Sequence, residues 1–178
     1  MGTSILIFEN TDSQKMPKYH FAFSIPVNKI EEAMVWILQK NPLIESDEGY
    51  IVNFENWKAK AIYFYDNNQN ILEFICREDL KNSSENRFTT KSILNISEVG
   101  IVTEKPLELG NEIAQKTKID FFSKDPKRED FAAMGDDEGV FVISSPNRNW
   151  FPTKDHAEKQ KTKVKILANE TEAELEFN

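Results

Sequence analysis

The chain has 178 residues, 39% hydrophobic and 29% charged, with a formal net charge of -8. That composition suits one compact folded domain or two small repeats. The acidic balance, with a pI near 4.9, argues against nucleic acid and anionic membrane surfaces as partners, since both select basic patches. The single cysteine, Cys76, cannot form an intramolecular disulfide, so a reducing, cytoplasmic setting is the default. No apolar run approaches a membrane span and no signal sequence leads the chain.

Residues 1–17 read as an N-terminal strand and loop. Ser4 to Phe8 has strand character, and Glu9 to Pro17 is polar. A strand this close to the start needs partners from later in the chain or from another chain. A first module spans 18–80. Tyr19, Phe21, Phe23 and Ile25 alternate onto one apolar face, while His20, Ala22 and Ser24 form a small, polar face suited to a cavity wall. Asn28 with Glu31 has the form of a helix start. Ile30, Ala33, Met34, Ile37 and Leu38 then give an apolar stripe at helical spacing. Asn41-Pro42 ends that helix. Gly49 to Phe54 reads as a strand.

Ala61 to Tyr65, the turn cluster Asp66 to Asn70, and Ile71 to Cys76 follow as strand, turn and strand. Both faces of the last strand are largely apolar, with Glu73 in the middle of one. A lone carboxylate there loses several kcal/mol of solvation unless something pairs with it. Glu73 is therefore a metal ligand or general base, or else a carboxylate at a sheet edge or paired with a Lys or Arg.

A polar linker, 81–94, precedes a second module at 95–147. Asn95 to Thr103 reads as its first strand, with Glu98, Gly100 and Val102 on one face. Pro106 suits a first helical residue. Ile119 to Phe122, Phe131 to Met134 and Val140 to Ser144 read as further strands. The order of elements repeats that of the first module. Aligning first strands sets Glu98 at the place of His20; aligning last strands sets Phe141 at the place of Glu73. Residues 148–178 form a loop and a C-terminal hairpin, Lys163 to Leu167 and Ala173 to Phe177. The fold class expected is α+β: paired βαβββ modules forming curved mixed sheets around a cleft, with extra terminal strands.

Two segments resemble the vicinal oxygen chelate superfamily, which includes glyoxalase I, bleomycin-resistance proteins and extradiol dioxygenases. Tyr19-His20-Phe21-Ala22-Phe23 is similar to that family's H-x-A-F strand. Tyr63 to Asp66 and Asn70 to Phe74 are similar to its Y-F-x-D-P-D-G-N-x-x-E-L strand pair. Asn67, Asn68 and Gln69 replace the P-D-G, and Gln69 falls where glycine usually supplies a positive backbone angle. The resemblance implies a bacterial glyoxalase-like protein with a divalent metal (Mn, Fe, Ni or Zn) held by His20, Glu73 and Glu98. Glu73 would double as the catalytic residue. One imidazole and two carboxylates suit such an ion. Each residue has a plainer reading. His20 can be satisfied by a backbone carbonyl, and Glu98 can be solvated at a strand end. Arg148 and Trp150 would contact a substrate, or the loop packs its own tryptophan. His156 is expected to be exposed.

The implied function is a glyoxalase- or dioxygenase-like protein acting on or binding a small oxygen-rich molecule. If an enzyme, it would be a metal-dependent lyase, isomerase or dioxygenase. The alternatives are a metal-free small-molecule-sequestering protein, like the bleomycin-resistance proteins, and a degenerate, non-catalytic module. A homodimer is expected, because the terminal segments leave sheet edges that need pairing. No nucleophilic triad, phosphate loop or dinucleotide fingerprint is present.

Overall fold

A computed structural model describes residues 2–10, 16–168 and 170–178. The chain divides into two compact units, residues 1–98 and 99–178. Both mix helix with sheet, as the α+β reading expected.

The first unit opens with β1 (His20–Ser24), followed by α1 (Ile30–Leu38), β2 (Leu43–Ile44), β3 (Val52–Phe54), β4 (Ala59–Tyr65) and β5 (Ile71–Arg77). The strand order is β2-β4-β5-β1, with β3 also paired to β4. β4 and β5 are antiparallel, whereas β5 and β1 are parallel. Strand β6 (Asn95–Val102) carries the chain into the second unit.

Alternation sorts the side chains of this sheet into two faces. Phe21 is in register with Leu72, and Phe23 with Phe74. This face meets α1, which buries Ile30, Ala33 and Ile37. Phe74 lies at its centre, with ring centroids 4.9 Å from Phe64, 5.8 Å from Phe88 and 6.3 Å from Trp36. The opposite face carries His20, Ala22, Tyr63 and Glu73.

The turn between β4 and β5 is built on one carboxylate. Asp66 Oδ1 accepts from the backbone N–H groups of Asn68 and Asn70, at 2.9 and 2.8 Å. Asn70 Oδ1 in turn accepts from the Tyr19 N–H at 2.9 Å, tying the turn to the residue before β1. Gln69 takes the left-handed conformation, φ 64°, as its glycine-like position implied.

Several expectations are corrected. Residues 4–8 form no strand, and Ile5, Ile7 and Phe8 are exposed at 84%, 75% and 62%. The start of this segment is held by the Thr3 N–H to the Leu94 carbonyl and the Ile96 N–H to Ser4 Oγ. Part of the expected loop, 11–15, lies outside the described residues. Asn28 does not cap α1; Lys29 holds that position without a side-chain cap. Asn28 instead exchanges two bonds with the Ser84 backbone, fastening the polar linker. Leu38 is half exposed, although Ile37 beside it is buried.

The second unit contains α2 (Pro106–Thr117), β7 (Phe131–Asp136), β8 (Gly139–Ser144) and the hairpin β9 (Thr162–Ala168) with β10 (Thr171–Phe177). Pro106 opens α2 as read. The expected strand at Ile119 to Phe122 is reduced to one bridge, Phe121 to Met134. Its Phe121 ring lies against Gly110 of α2, where an added Cβ would come within 2.8 Å. Phe121 thus serves as a packing wedge, and Gly110 makes room for it. Ile101, Ile113, Met134, Phe141, Ile143 and Leu175 form the core, with Val164, Ile166 and Phe177 packed against it. The outer face of the hairpin carries Lys163, Lys165, Glu174 and Glu176 in cross-strand ion pairs.

Candidate metal centre

Glu73 occupies the middle of β5 and is 2% exposed. Its neighbour in register on β4 is Tyr63, and on β1 it is Ala22. Directly opposed side chains on one sheet face stand about 5 Å apart at Cβ. Tyr63 therefore brings a hydroxyl to the carboxylate, and Ala22, being small, leaves room beside it.

His20 opens β1 two residues before Ala22, so it points to the same face. Its Nδ1 lies 3.2 Å from the Ile71 carbonyl oxygen. A carbonyl only accepts, so Nδ1 carries the proton and Nε2 keeps a lone pair. Nε2 lies 3.5 Å from Glu73 Oε2. Although that separation falls within ion-pair range, burial lowers the His20 pKa to about 4, with the Ile71 bond opposing. The ring is neutral at pH 7, and the contact is not an ion pair.

Glu98 comes from β6 and is 4% exposed. Its Oε1 accepts from Arg77 Nη2 at 2.5 Å. Arg77 is fully buried at the end of β5, with its guanidinium carbon 5.9 Å from the Trp57 ring centre. Both carboxyls titrate above their usual range, each chiefly through burial. For Glu73 the Glu98 charge adds to this, while Arg77 and a hydrogen bond from Tyr63 oppose it. For Glu98 the charge and hydrogen bond of Arg77 oppose it. Burial and the neighbouring carboxylates also hold the Tyr63 hydroxyl protonated.

The potential ligand atoms of His20, Glu73 and Glu98 lie within 4.8 Å of one another. A divalent ion with bonds of about 2.0–2.2 Å spans at most roughly 4.4 Å between two ligands, so a closure of about half an ångström would suffice. The donor set fits a hard or borderline divalent ion: a neutral imidazole with an unprotonated Nε2, and two carboxylates. One of the plainer sequence readings is also realised: His20 is satisfied by a carbonyl. An arginine, Arg77, pairs with Glu98. Glu98 is buried, not solvated at a strand end.

The other candidates lie in the second unit. Arg148 Nη1 donates to Asp130 Oδ2 at 2.8 Å, and its guanidinium stacks over Phe131. Trp150 is buried, as in the reading of a loop that packs its own tryptophan. His156 is exposed. Phe141, at the place of Glu73, belongs to the core. Sequence reasoning passed over Arg77 and the role of Tyr63. Arg77 was findable, since Glu73, Ile75 and Arg77 share one face of β5 by alternation.

The α+β fold of this chain is similar to that of a solved structure. That structure, described as a "putative dioxygenase" from Bacillus subtilis, matches 70% of this chain at 15% identity and a TM-score of 0.50. A glyoxalase I mutant from Zea mays matches 72% at 11% identity and a TM-score of 0.44. The chain spans 39% and 44% of the length of those two proteins. No family model matches the chain, and no curated protein matches it. Among the described residues, no helix is long and apolar enough to cross a membrane.

Proposed function

We propose that this chain is a divalent-metal-dependent, glyoxalase- or dioxygenase-like protein acting on a small oxygen-rich molecule. The observation that carries this reading is the convergence of His20, Glu73 and Glu98 within 4.8 Å on one buried sheet face. His20 Nε2 and one oxygen from each carboxylate would hold the ion. When bound, the ion supplies Lewis-acid stabilisation of developing negative charge on a substrate oxygen. The chain's own residues set the surroundings. Ile71 fixes the His20 tautomer, a device common at metal-ligating histidines. Tyr63 directs its hydroxyl at Glu73.

A second reading, a metal-free binding protein or degenerate module, is favoured by one observation. Arg77 already supplies Glu98 with a cation, and a protonated Glu73 can donate towards the neutral His20.

Calorimetric titration of untagged protein with Mn, Ni and Zn separates the two. The metal reading expects one ion per chain, binding abolished in Glu73→Ala and strongly weakened in His20→Ala. A wild-type protein that binds none of these ions more tightly than Glu73→Ala does is not a metalloenzyme of this kind.

A further inference from the structure

Residues 4–8 lie outside the sheets, yet they have the composition of a strand. Ile5, Ile7 and Phe8 are exposed, while Ser4 and Leu6 are partly buried. Alternation from Ser4 to Ile7 has the period of an extended chain. Among the described residues, the backbone N–H and C=O groups of Ile5 to Phe8 have no hydrogen-bond partner. An apolar stretch with unpaired backbone groups is a template for another strand. The segment is presented from a fixed point: the Thr3 N–H bonds to the Leu94 carbonyl at 2.9 Å, and Ser4 Oγ accepts from the Ile96 N–H at 3.0 Å.

Charge and symmetry decide what it can pair with. A chain with a net charge of -8 repels its own copies, so a contact between copies is favoured at a stretch without charges. Residues 3–8 carry none, and Glu9 follows. Two copies related by a two-fold axis present the same residues to each other, which in a strand pair means antiparallel order. Centred on Leu6, that order sets Ile5 opposite Ile7 of the second copy and Ser4 opposite Phe8. Each Glu9 falls beyond the paired stretch, the two at opposite ends of it. A parallel pair in register would instead set Glu9 against Glu9, and like charges directly opposite are destabilising. Cross-strand pairs of apolar, β-branched side chains are stabilising.

We propose that Ser4 to Phe8 is a self-complementary docking strand. It pairs antiparallel with the same segment of a second copy, in the register that sets Ile5 against Ile7. The paired stretch is short, so the dimer dissociates on dilution.

The test uses the full chain, with mass read by sedimentation equilibrium at micromolar to submillimolar concentration and folding checked by circular dichroism. Wild type is expected to form a dimer that dissociates as it is diluted. Ile5→Lys/Ile7→Lys and Ile5→Glu/Ile7→Glu set like charges opposite at both cross-strand positions, and both should be monomeric. Ile5→Lys/Ile7→Glu sets opposite charges at both positions in this register alone, and should dimerise about tenfold more tightly than either. A wild type that is monomeric throughout overturns the proposal and leaves the segment to a different partner. So does a dimer that Ile5→Lys/Ile7→Lys leaves intact, because the contact then lies elsewhere. An Ile5→Lys/Ile7→Glu protein that dimerises no better than Ile5→Lys/Ile7→Lys overturns the register, and the proposal with it. No bound ion enters these measurements, so their outcome is separate from that of the metal reading.

Discussion

Arg77 and Glu98 form a buried ion pair between the last residue of β5 and the middle of β6, 2.5 Å apart. Removing one partner of such a pair leaves a buried charge and typically costs about 3–5 kcal/mol. Glu98→Ala in metal-free protein should lose stability of that order in urea denaturation. Arg77→Met/Glu98→Met together should recover most of the loss. A Glu98→Ala protein as stable as wild type would mean that Arg77 has another acceptor as good.

The buried histidine predicts an acid-side loss. His20 titrates near 4 in the folded chain, against about 6.5 unfolded. The unfolded state therefore binds more protons between these values. The stability from keeping His20 neutral is full above pH 6.5 and is lost as pH falls towards 4, by roughly 3 kcal/mol over that interval. His20→Gln should flatten this part of the stability profile of metal-free protein.

Glu73 acts with the opposite sign. Its folded pKa is raised, so the folded state holds the proton more tightly. Its contribution is full below the ordinary carboxylate range and is lost as pH rises through the folded value. Metal-free Glu73→Gln should therefore gain on wild type as pH rises, measured by denaturation midpoints. Parallel midpoints from pH 5 to 9 would contradict this.

Gly110→Ala sets two effects against each other. Alanine favours a helix interior by about 1 kcal/mol, but its Cβ would lie 2.8 Å from the Phe121 ring. Overpacking of this kind costs about 1–3 kcal/mol. A net loss is expected, and Gly110→Ala/Phe121→Leu should reverse it. Conversely, Gln69→Gly removes a left-handed non-glycine residue, φ 64°, and should stabilise by about 0.5–1 kcal/mol after the entropy of glycine is deducted.

The homodimer expected from the termini can be measured directly. Ile5, Ile7 and Phe8 are exposed, and light scattering at micromolar concentration should give a dimer. Ile5→Lys/Ile7→Lys should shift it towards monomer if this segment is the contact.

By itself the sequence determined the local elements and their faces. Alternation in residues 19–25 and 71–76 marked His20 and Glu73 as polar positions within apolar strands, and helical spacing marked Ile30, Ala33 and Ile37. These are short-range signals, set by the backbone geometry of each element. The glycine-like position of Gln69 was also legible, because a tight turn dictates its own φ values. Only the tertiary structure decided what meets what. Register across β4 and β5 chose Tyr63 as the partner of Glu73. Arg77 paired with Glu98, twenty-one residues on, rather than with the nearer carboxylate. Residues 4–8 have strand-like composition but no ladder, and Phe121 became a wedge against Gly110 instead of part of a strand. Periodicity reports which way a side chain points. Which partner it meets depends on the distant segments packed on that face, and no local signal carries that.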